Sequence, residues 1–221
     1  MTVPDVYTYL ADLVERLNVR WPDNETVNIV CHGHSVPAGY VASPLVDTFN
    51  AYPHLLHRGL KARFPYAVVN VIVTAIGGEN SLSGAARFAR DVLTHQPDVV
   101  TIDYGLNDRG LGPVRAEKAW RTMTEAALDA GVKVILMTPT PDLTQRHGYE
   151  GEDQGDLLVH AAQIRELAGD YGVGLVDSLA AFGAYVAAGT DLTDLLSWVN
   201  HPNRQGHELV ARALLRWFAV R

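Results

Sequence analysis

The sequence has little cysteine, little positive charge and no long apolar run. Its one cysteine, Cys31, excludes an intrachain disulfide and gives no sign of an oxidising compartment. Lysine and arginine number 18 against 25 aspartates and glutamates, and the resulting net charge of −7 argues against nucleic acid as a partner. No segment approaches the roughly 20 apolar residues that cross a bilayer.

The first 17 residues also lack the basic start and apolar stretch of a secretory signal. They carry acidic side chains and apolar residues at helical spacing. We therefore expect a cytoplasmic protein that does not bind membranes. Hydrophobic residues make up 48% of the chain, which is enough for a sizeable core. Because domains average roughly 150 residues and no linker or repeat divides the chain, we expect one domain over residues 1–221.

Short apolar segments rich in valine and isoleucine predict five β-strands. They are Val27–Cys31, Ala67–Val73, Val99–Asp103, Val132–Met137 and Val173–Asp177. Most have no alternating polar face, which is typical of strands buried on both sides. Apolar residues recur at helical spacing between the strands, around residues 6–17, 82–93, 113–130, 157–168 and 210–217. The alternation predicts an α/β fold, a three-layer α/β/α sandwich with a five-stranded, mainly parallel sheet. The polar residues 139–155 predict a loop after the fourth strand.

Polar residues gather after the predicted strands, where an open parallel sheet binds its ligands. Ser35 follows the first strand, Gly78 the second and Asn107 the third, while His201 comes after the fifth strand and one further helix. A hydroxyl, N–H donors, an amide and an imidazole at one end of a sheet are the groups that acyl transfer requires. Each of these residues alone is more often a turn or cap residue, so only their joint occurrence favours catalysis.

Four motifs in this order resemble those of the SGNH (GDSL-type) hydrolases, over about residues 29–206. They are Gly33-His34-Ser35, Gly78-Glu79-Asn80-Ser81, Gly105-Leu106-Asn107-Asp108 and His201-Pro202-Asn203-Arg204-Gln205-Gly206. The resemblance implies a flavodoxin-like sandwich and a serine esterase with no metal or organic cofactor. Carried over by position, it implies Ser35 as nucleophile and His201 as base. The oxyanion hole would consist of the Ser35 and Gly78 N–H groups and the Asn107 side chain.

Two positions depart from the pattern of that family. His34 stands where the family has an aspartate before the serine, a residue that takes no part in the chemistry. Trp198 stands three residues before His201, where the family places the aspartate of its triad. Because the Nδ1–H of the base needs an acceptor, we expect the main-chain carbonyl of Trp198 to orient His201. Asp191 and Asp194 are the alternatives if the preceding segment folds back.

Three other functions fit parts of the sequence. His32 and His34 could begin a metal site completed by Asp103, Asp108 or His207, but we find no second compact ligand pair and expect no metal. A flavodoxin-like binding protein could hold phosphate in its glycine-rich loops, although no complete phosphate-binding motif is present. The missing triad aspartate also leaves open a catalytically weak member of the fold that binds carbohydrate.

The substrate is less closely defined than the reaction. We expect a small-molecule ester, and the breadth of the family favours an acetyl ester on a carbohydrate. A short-chain lipid ester or thioester is the alternative. Tyr40, Phe49 and Tyr52 follow the nucleophile, and they belong either to the core or to the wall of a site for a sugar or short acyl chain. Nothing in the sequence sets the acyl length, the alcohol or the oligomeric state.

Overall fold

Five strands form one sheet in which every strand pair is parallel. The structure is a computed structural model that describes residues 2–145 and 154–219. The strands are β1 (Thr26–Gly33), β2 (Val68–Val73), β3 (Val99–Asp103), β4 (Lys133–Met137) and β5 (Gly174–Val176). They lie in the order β2-β1-β3-β4-β5, which is the doubly wound order of flavodoxin-like proteins. All five predicted strands are confirmed.

Eight α-helices are found in the described residues. They are α1 (Ala11–Asn18), α2 (Ser35–Ala38), α3 (Tyr52–Arg63), α4 (Ser81–Asp91), α5 (Pro113–Asp129), α6 (Gln154–Tyr171), α7 (Ser178–Ala187) and α8 (Arg204–Leu215). The predicted helices are all present, but the first begins only at Ala11. Of the predicted loop, residues 146–153 lie outside the described residues, and α6 already begins at Gln154. None of the described helices is long and apolar enough to cross a membrane.

The sheet is buried on both faces because neighbouring strand residues alternate between two apolar clusters. Ile29 and Ile135 join the cluster that contains side chains of α1, α3, α7 and α8. Val30 and Val134 join the other cluster, with α4, α5 and the C-terminal part of α6. This two-sided burial explains why the strands lack a polar face. The predicted three-layer α/β/α sandwich is confirmed.

The carboxyl ends of β1, β2 and β3 bring three loops to one edge of the sheet. Gly33, the last residue of β1, lies so close to β3 that a Cβ atom there would collide with the Asp103 carbonyl. Beyond β2, the Ile76 N–H donates to the Gly33 carbonyl over 3.0 Å. The loop after β2 therefore runs beside Gly33, two residues before Ser35.

Candidate active site

Ser35 and His201 meet at this edge although they are far apart in sequence. Ser35 is the first residue of α2, two residues after the end of β1, and His201 lies just before α8. The Ser35 Oγ atom is 2.9 Å from His201 Nε2. Both residues are buried, with 7% and 6% of their surfaces exposed. The two residues that the sequence predicts as nucleophile and base thus lie within the hydrogen-bond distance that such a pair requires.

The far nitrogen of His201 is oriented by a main-chain carbonyl. His201 Nδ1 lies 2.8 Å from the carbonyl oxygen of Val41, in the loop that follows α2. A carbonyl only accepts, so the Nδ1–H donates to Val41. Nε2 then carries the lone pair and accepts the hydrogen of the Ser35 hydroxyl. This is the tautomer that a general base facing serine needs.

This contact corrects the prediction that the Trp198 carbonyl orients His201. The acceptor is a carbonyl, as expected, but it belongs to the nucleophile's own loop. Residues 196–202 fold back on themselves, because Leu196 and Pro202 form an antiparallel bridge and the Ser197 N–H donates to the His201 carbonyl over 2.9 Å. The Trp198 side chain is 60% exposed in this turn.

The two alternative carboxylates stabilise a different turn. Asp191 accepts the Thr193 N–H over 2.9 Å, and Asp194 accepts the Asp191 N–H over 3.3 Å. Together they form a capping box at the short 3-10 helix that begins at Leu192. Since His201 Nδ1 donates to Val41, neither carboxylate occupies the position of a triad acid.

Burial lowers the pKa of His201 below its ordinary value of 6.5. The Val41 carbonyl acts in the opposite direction, and the charge that His34 can carry lowers the pKa further. A neutral carbonyl also stabilises the imidazolium less than a carboxylate would, since charge-assisted hydrogen bonds are about twice as strong as neutral ones. His201 is consequently neutral, and able to accept a proton, at pH 7.

Gly78 and Asn107 approach the same edge from neighbouring loops. Gly78 has a φ of +81°, a left-handed conformation that favours glycine, and its N–H has no acceptor within the described residues. The Asn107 amide donates one hydrogen to the Glu79 carbonyl over 2.8 Å. A primary amide has a second N–H, which remains for a ligand. The Ser35 N–H is the first of α2 and has no acceptor inside its helix.

Asp108 and Arg87 hold these two loops from behind. The buried Asp108 carboxylate accepts the Ser81 N–H over 2.8 Å and the indole N–H of Trp120 over 2.7 Å. Arg87 on α4 lies 2.6 Å from the Glu79 carboxylate. Because the Asn107 amide donates to the Glu79 carbonyl, the Arg87–Glu79 contact helps to hold both the loop of Gly78 and the loop of Asn107. An arginine within a helix has no sequence signal for this role, so the residue pattern did not identify Arg87.

His34 takes a capping role at α2. Its Nδ1 accepts the Val36 N–H over 3.3 Å and lies 3.3 Å from the Ser35 Oγ atom. Its Nε2 lies 3.5 Å from the carboxylate of Asp103, which ends β3. The sequence pointed to Asp103 only as a possible metal ligand. An acidic residue at the end of a mostly apolar strand is the signal that could have drawn attention to Asp103.

His32 contacts different partners from His34. Its Nδ1 lies 2.9 Å from the Thr74 hydroxyl and its Nε2 lies 3.2 Å from the Gly84 carbonyl. Burial lowers the pKa of His32 to about 4. Across residues 2–145 and 154–219, the structure contains no group of three or more histidine, cysteine, aspartate or glutamate side chains that could hold a metal ion.

A serine–histidine pair beside N–H donors, at the carboxyl edge of a doubly wound sheet, is the arrangement of a serine hydrolase. Residues 31–209 match the GDSL-like Lipase/Acylhydrolase family. The chain belongs to this family and is an ester-hydrolysing enzyme.

Relatives of known activity share much of its length. An acetylxylan esterase of Geobacillus stearothermophilus is 28% identical over 174 residues, which cover 71% of this chain and 75% of the relative. The crystal structure of a two-domain esterase active on acetylated mannans has a TM-score of 0.75 at 23% identity. That match covers 96% of this chain and 52% of the two-domain enzyme.

A crystal structure of Axe2, an acetylxylan esterase from Geobacillus stearothermophilus, has a TM-score of 0.71 at 23% identity and covers 88% of this chain and 95% of that one. At such identities the structural likeness shows the fold.

Proposed function

We propose that this enzyme is a serine esterase that removes acetyl groups from carbohydrate. One observation carries the mechanism: Ser35 Oγ lies 2.9 Å from His201 Nε2, while His201 Nδ1 donates to the Val41 carbonyl. The substrate class is supported by the relatives, which are named for activity on acetylated xylan and acetylated mannans.

The reaction proceeds in two halves. His201 Nε2 takes the proton of the Ser35 hydroxyl as Oγ attacks the ester carbonyl. The tetrahedral intermediate collapses when the imidazolium gives that proton to the leaving alcohol oxygen, and the acyl group remains on Ser35. Water then loses a proton to His201 and attacks the acyl-enzyme. The imidazolium returns the proton to Ser35 as the carboxylic acid leaves.

The negative charge of each tetrahedral intermediate would be met by N–H donors. We assign these to the Gly78 and Ser35 main chain and to the second amide hydrogen of Asn107. Such donors are effective because they are held in place before the charge develops. The Glu79 carbonyl fixes the Asn107 amide, and Arg87 fixes Glu79.

The position of Tyr40 favours a substrate with a short acyl group. Its ring lies 6.1 Å from the His201 ring, measured between centroids, and a Cβ atom added to Gly77 would come within 2.8 Å of it. Tyr40 therefore fills the space between the base and the oxyanion loop. Of the other two aromatic residues that follow the nucleophile, Tyr52 is buried in the core and Phe49 is 76% exposed.

A substrate panel tests this proposal. Acetyl to decanoyl esters of one alcohol, together with acetylated xylo- and manno-oligosaccharides, are assayed with the natural enzyme and with Ser35→Ala. A fluorophosphonate probe is applied in parallel. Ser83→Ala, at an exposed serine of α4, is the matched control and should keep both labelling and turnover.

We expect acetylated oligosaccharides to be the best substrates and Ser35→Ala to lose labelling and turnover together. Labelling that survives in Ser35→Ala would exclude Ser35 as nucleophile. A preference for decanoyl esters or for thioesters would favour the lipid esterase or thioesterase alternative. Binding of oligosaccharide without turnover would indicate a catalytically weak carbohydrate-binding member of the fold.

A further inference from the structure

A second pair of carboxylate and imidazole lies behind Ser35. Asp103 is 3% exposed at the end of β3, and its Oδ1 atom is 3.5 Å from His34 Nε2. Its Oδ2 atom accepts the Tyr52 hydroxyl hydrogen over 3.3 Å. No lysine or arginine of the described residues forms an ion pair with Asp103. His34 and Tyr52 thus meet the two oxygens of this buried carboxylate.

The contacts of His34 define its tautomer. The Val36 N–H points to Nδ1, so Nδ1 must carry a lone pair rather than a hydrogen. In a neutral imidazole the hydrogen then resides on Nε2, the nitrogen that faces Asp103. A carboxylate that faces one ring nitrogen favours a hydrogen on that nitrogen. Asp103 consequently favours the one tautomer of His34 that can cap α2.

The same lone pair faces the nucleophile. His34 Nδ1 lies 3.3 Å from Ser35 Oγ, whereas His201 Nε2 lies 2.9 Å from it. The hydroxyl therefore has an imidazole acceptor on each of two sides, and the shorter contact is to the base. A hydrogen on His34 Nδ1 would oppose the Val36 N–H and remove this second acceptor.

We propose that Asp103 is a positioning residue for the nucleophile, which acts by holding His34 in its Nε2–H tautomer. The inference rests on the proposed role of Ser35. An aspartate or asparagine caps a helix with an oxygen that always accepts, whereas a histidine caps only while the correct nitrogen is unprotonated. Because position 34 is a histidine, the cap of α2 needs a defined tautomer, and Asp103 favours that tautomer.

Asp103→Asn breaks this arrangement with little change of shape. The new amide can donate to His34 Nε2, which shifts the ring hydrogen to Nδ1 and disturbs the cap and Ser35 together. Partners that orient metal-ligating histidines typically contribute about 10- to 100-fold to activity, and we expect a fall of the same order in kcat here. KM should change little because neither residue is placed against the substrate.

A double-mutant cycle separates positioning from general support of the fold. In His34→Asn the capping oxygen needs no tautomer, so Asp103→Asn in that background should lower kcat by less than about threefold. Equal losses in both backgrounds would show that Asp103 acts independently of His34 and would overturn the proposal. Absence of any loss in the natural background would do the same. Tyr52→Phe removes the other contact of the carboxylate and is the matched control, with an expected change below about threefold.

NMR of the histidine side chains tests the tautomer without substrate. The His34 signal, identified by its contact with the Val36 amide, should show an unprotonated Nδ1 in the natural enzyme and a protonated Nδ1 in Asp103→Asn. A protonated Nδ1 in the natural enzyme would overturn the proposal even if the variants fold poorly. Failure of the enzyme to hydrolyse any ester would contradict the proposed function and leave the tautomer result standing.

Discussion

The two sides of the active site are stabilised in different ways. On the proton-transfer side, Ser35, His201 and Val41 hold one another by direct hydrogen bonds, and the acceptor behind the base is neutral. On the proposed oxyanion side, the loops that carry Gly78 and Asn107 are held by two charged groups, Arg87 and Asp108. Burial keeps the pKa of His201, the proposed base, below its ordinary value, while the loops of the proposed oxyanion donors keep fixed positions.

His201→Ala should have the largest effect and should disable the proton-transfer side alone. Removal of the base of such a pair costs about 10⁴-fold or more in kcat. The variant should retain its fold, which a melting curve checks. His95→Ala, at an exposed histidine, is the control and should retain full activity. Retention of a tenth of the activity in His201→Ala would show that another group is the base.

Asn107→Ala should disable the oxyanion side. Loss of one donor typically lowers kcat about 100- to 1000-fold, or roughly 3–4 kcal/mol of transition-state stabilisation. KM should change little because the donor acts on charge that develops only in the transition state. Steady-state kinetics on one acetyl ester measures both constants. A change confined to KM would instead place Asn107 in substrate binding.

The pH dependence tests the neutral acceptor of the base. Only neutral His201 accepts a proton, so activity is full above its pKa and is lost as the pH falls through that pKa. Burial lowers this pKa, and the acid limb of kcat/KM should therefore have its midpoint below 6.5. Below the midpoint the rate should fall about tenfold per pH unit. A midpoint above 6.5 would indicate a carboxylate partner for His201.

Asp108→Asn should affect stability more than catalysis. Both oxygens of Asp108 accept from N–H donors, so an amide nitrogen in place of one oxygen would face a donor. An unsatisfied buried group of this kind costs about 1–3 kcal/mol of unfolding free energy. Denaturant titration measures this loss. The shape of the pH–rate profile should be unchanged, and a changed profile in a folded variant would give Asp108 a role in proton transfer.

Asp191→Asn, Asp194→Asn and Trp198→Phe should have the smallest effects. Because the Val41 carbonyl orients His201, each change should alter kcat/KM by much less than tenfold. Amide replacement of a true triad aspartate can cost about 10⁴-fold, since the wrong imidazole tautomer forms. A collapse of that size in one folded aspartate variant, measured on the same ester, would restore an ordinary triad.

Most of the architecture follows from local patterns. Strands such as Val99–Asp103 are buried throughout and mostly apolar, and their two-sided burial requires helices on both faces of a parallel sheet. The order of the motifs placed Ser35, Gly78, Asn107 and His201 at one edge, and the structure brings Ser35 and His201 into hydrogen-bond distance. The start of α1 was less predictable, because the apolar spacing also covers residues 6–10, which the structure places in turns before the helix begins at Ala11.

The sequence by itself predicted the side chains of the candidate active site, because a serine, N–H donors, an amide and a histidine occur together, in order, after the strands. Only the tertiary structure decided which carbonyl accepts the Nδ1–H of His201, since every residue has a carbonyl and none is marked in the sequence. Likewise, nothing local joins Asp103 to His34. They meet because β1 and β3 pair with Gly33 opposite Asp103. The carboxylate of Asp103 at the end of β3 therefore faces His34, which follows β1.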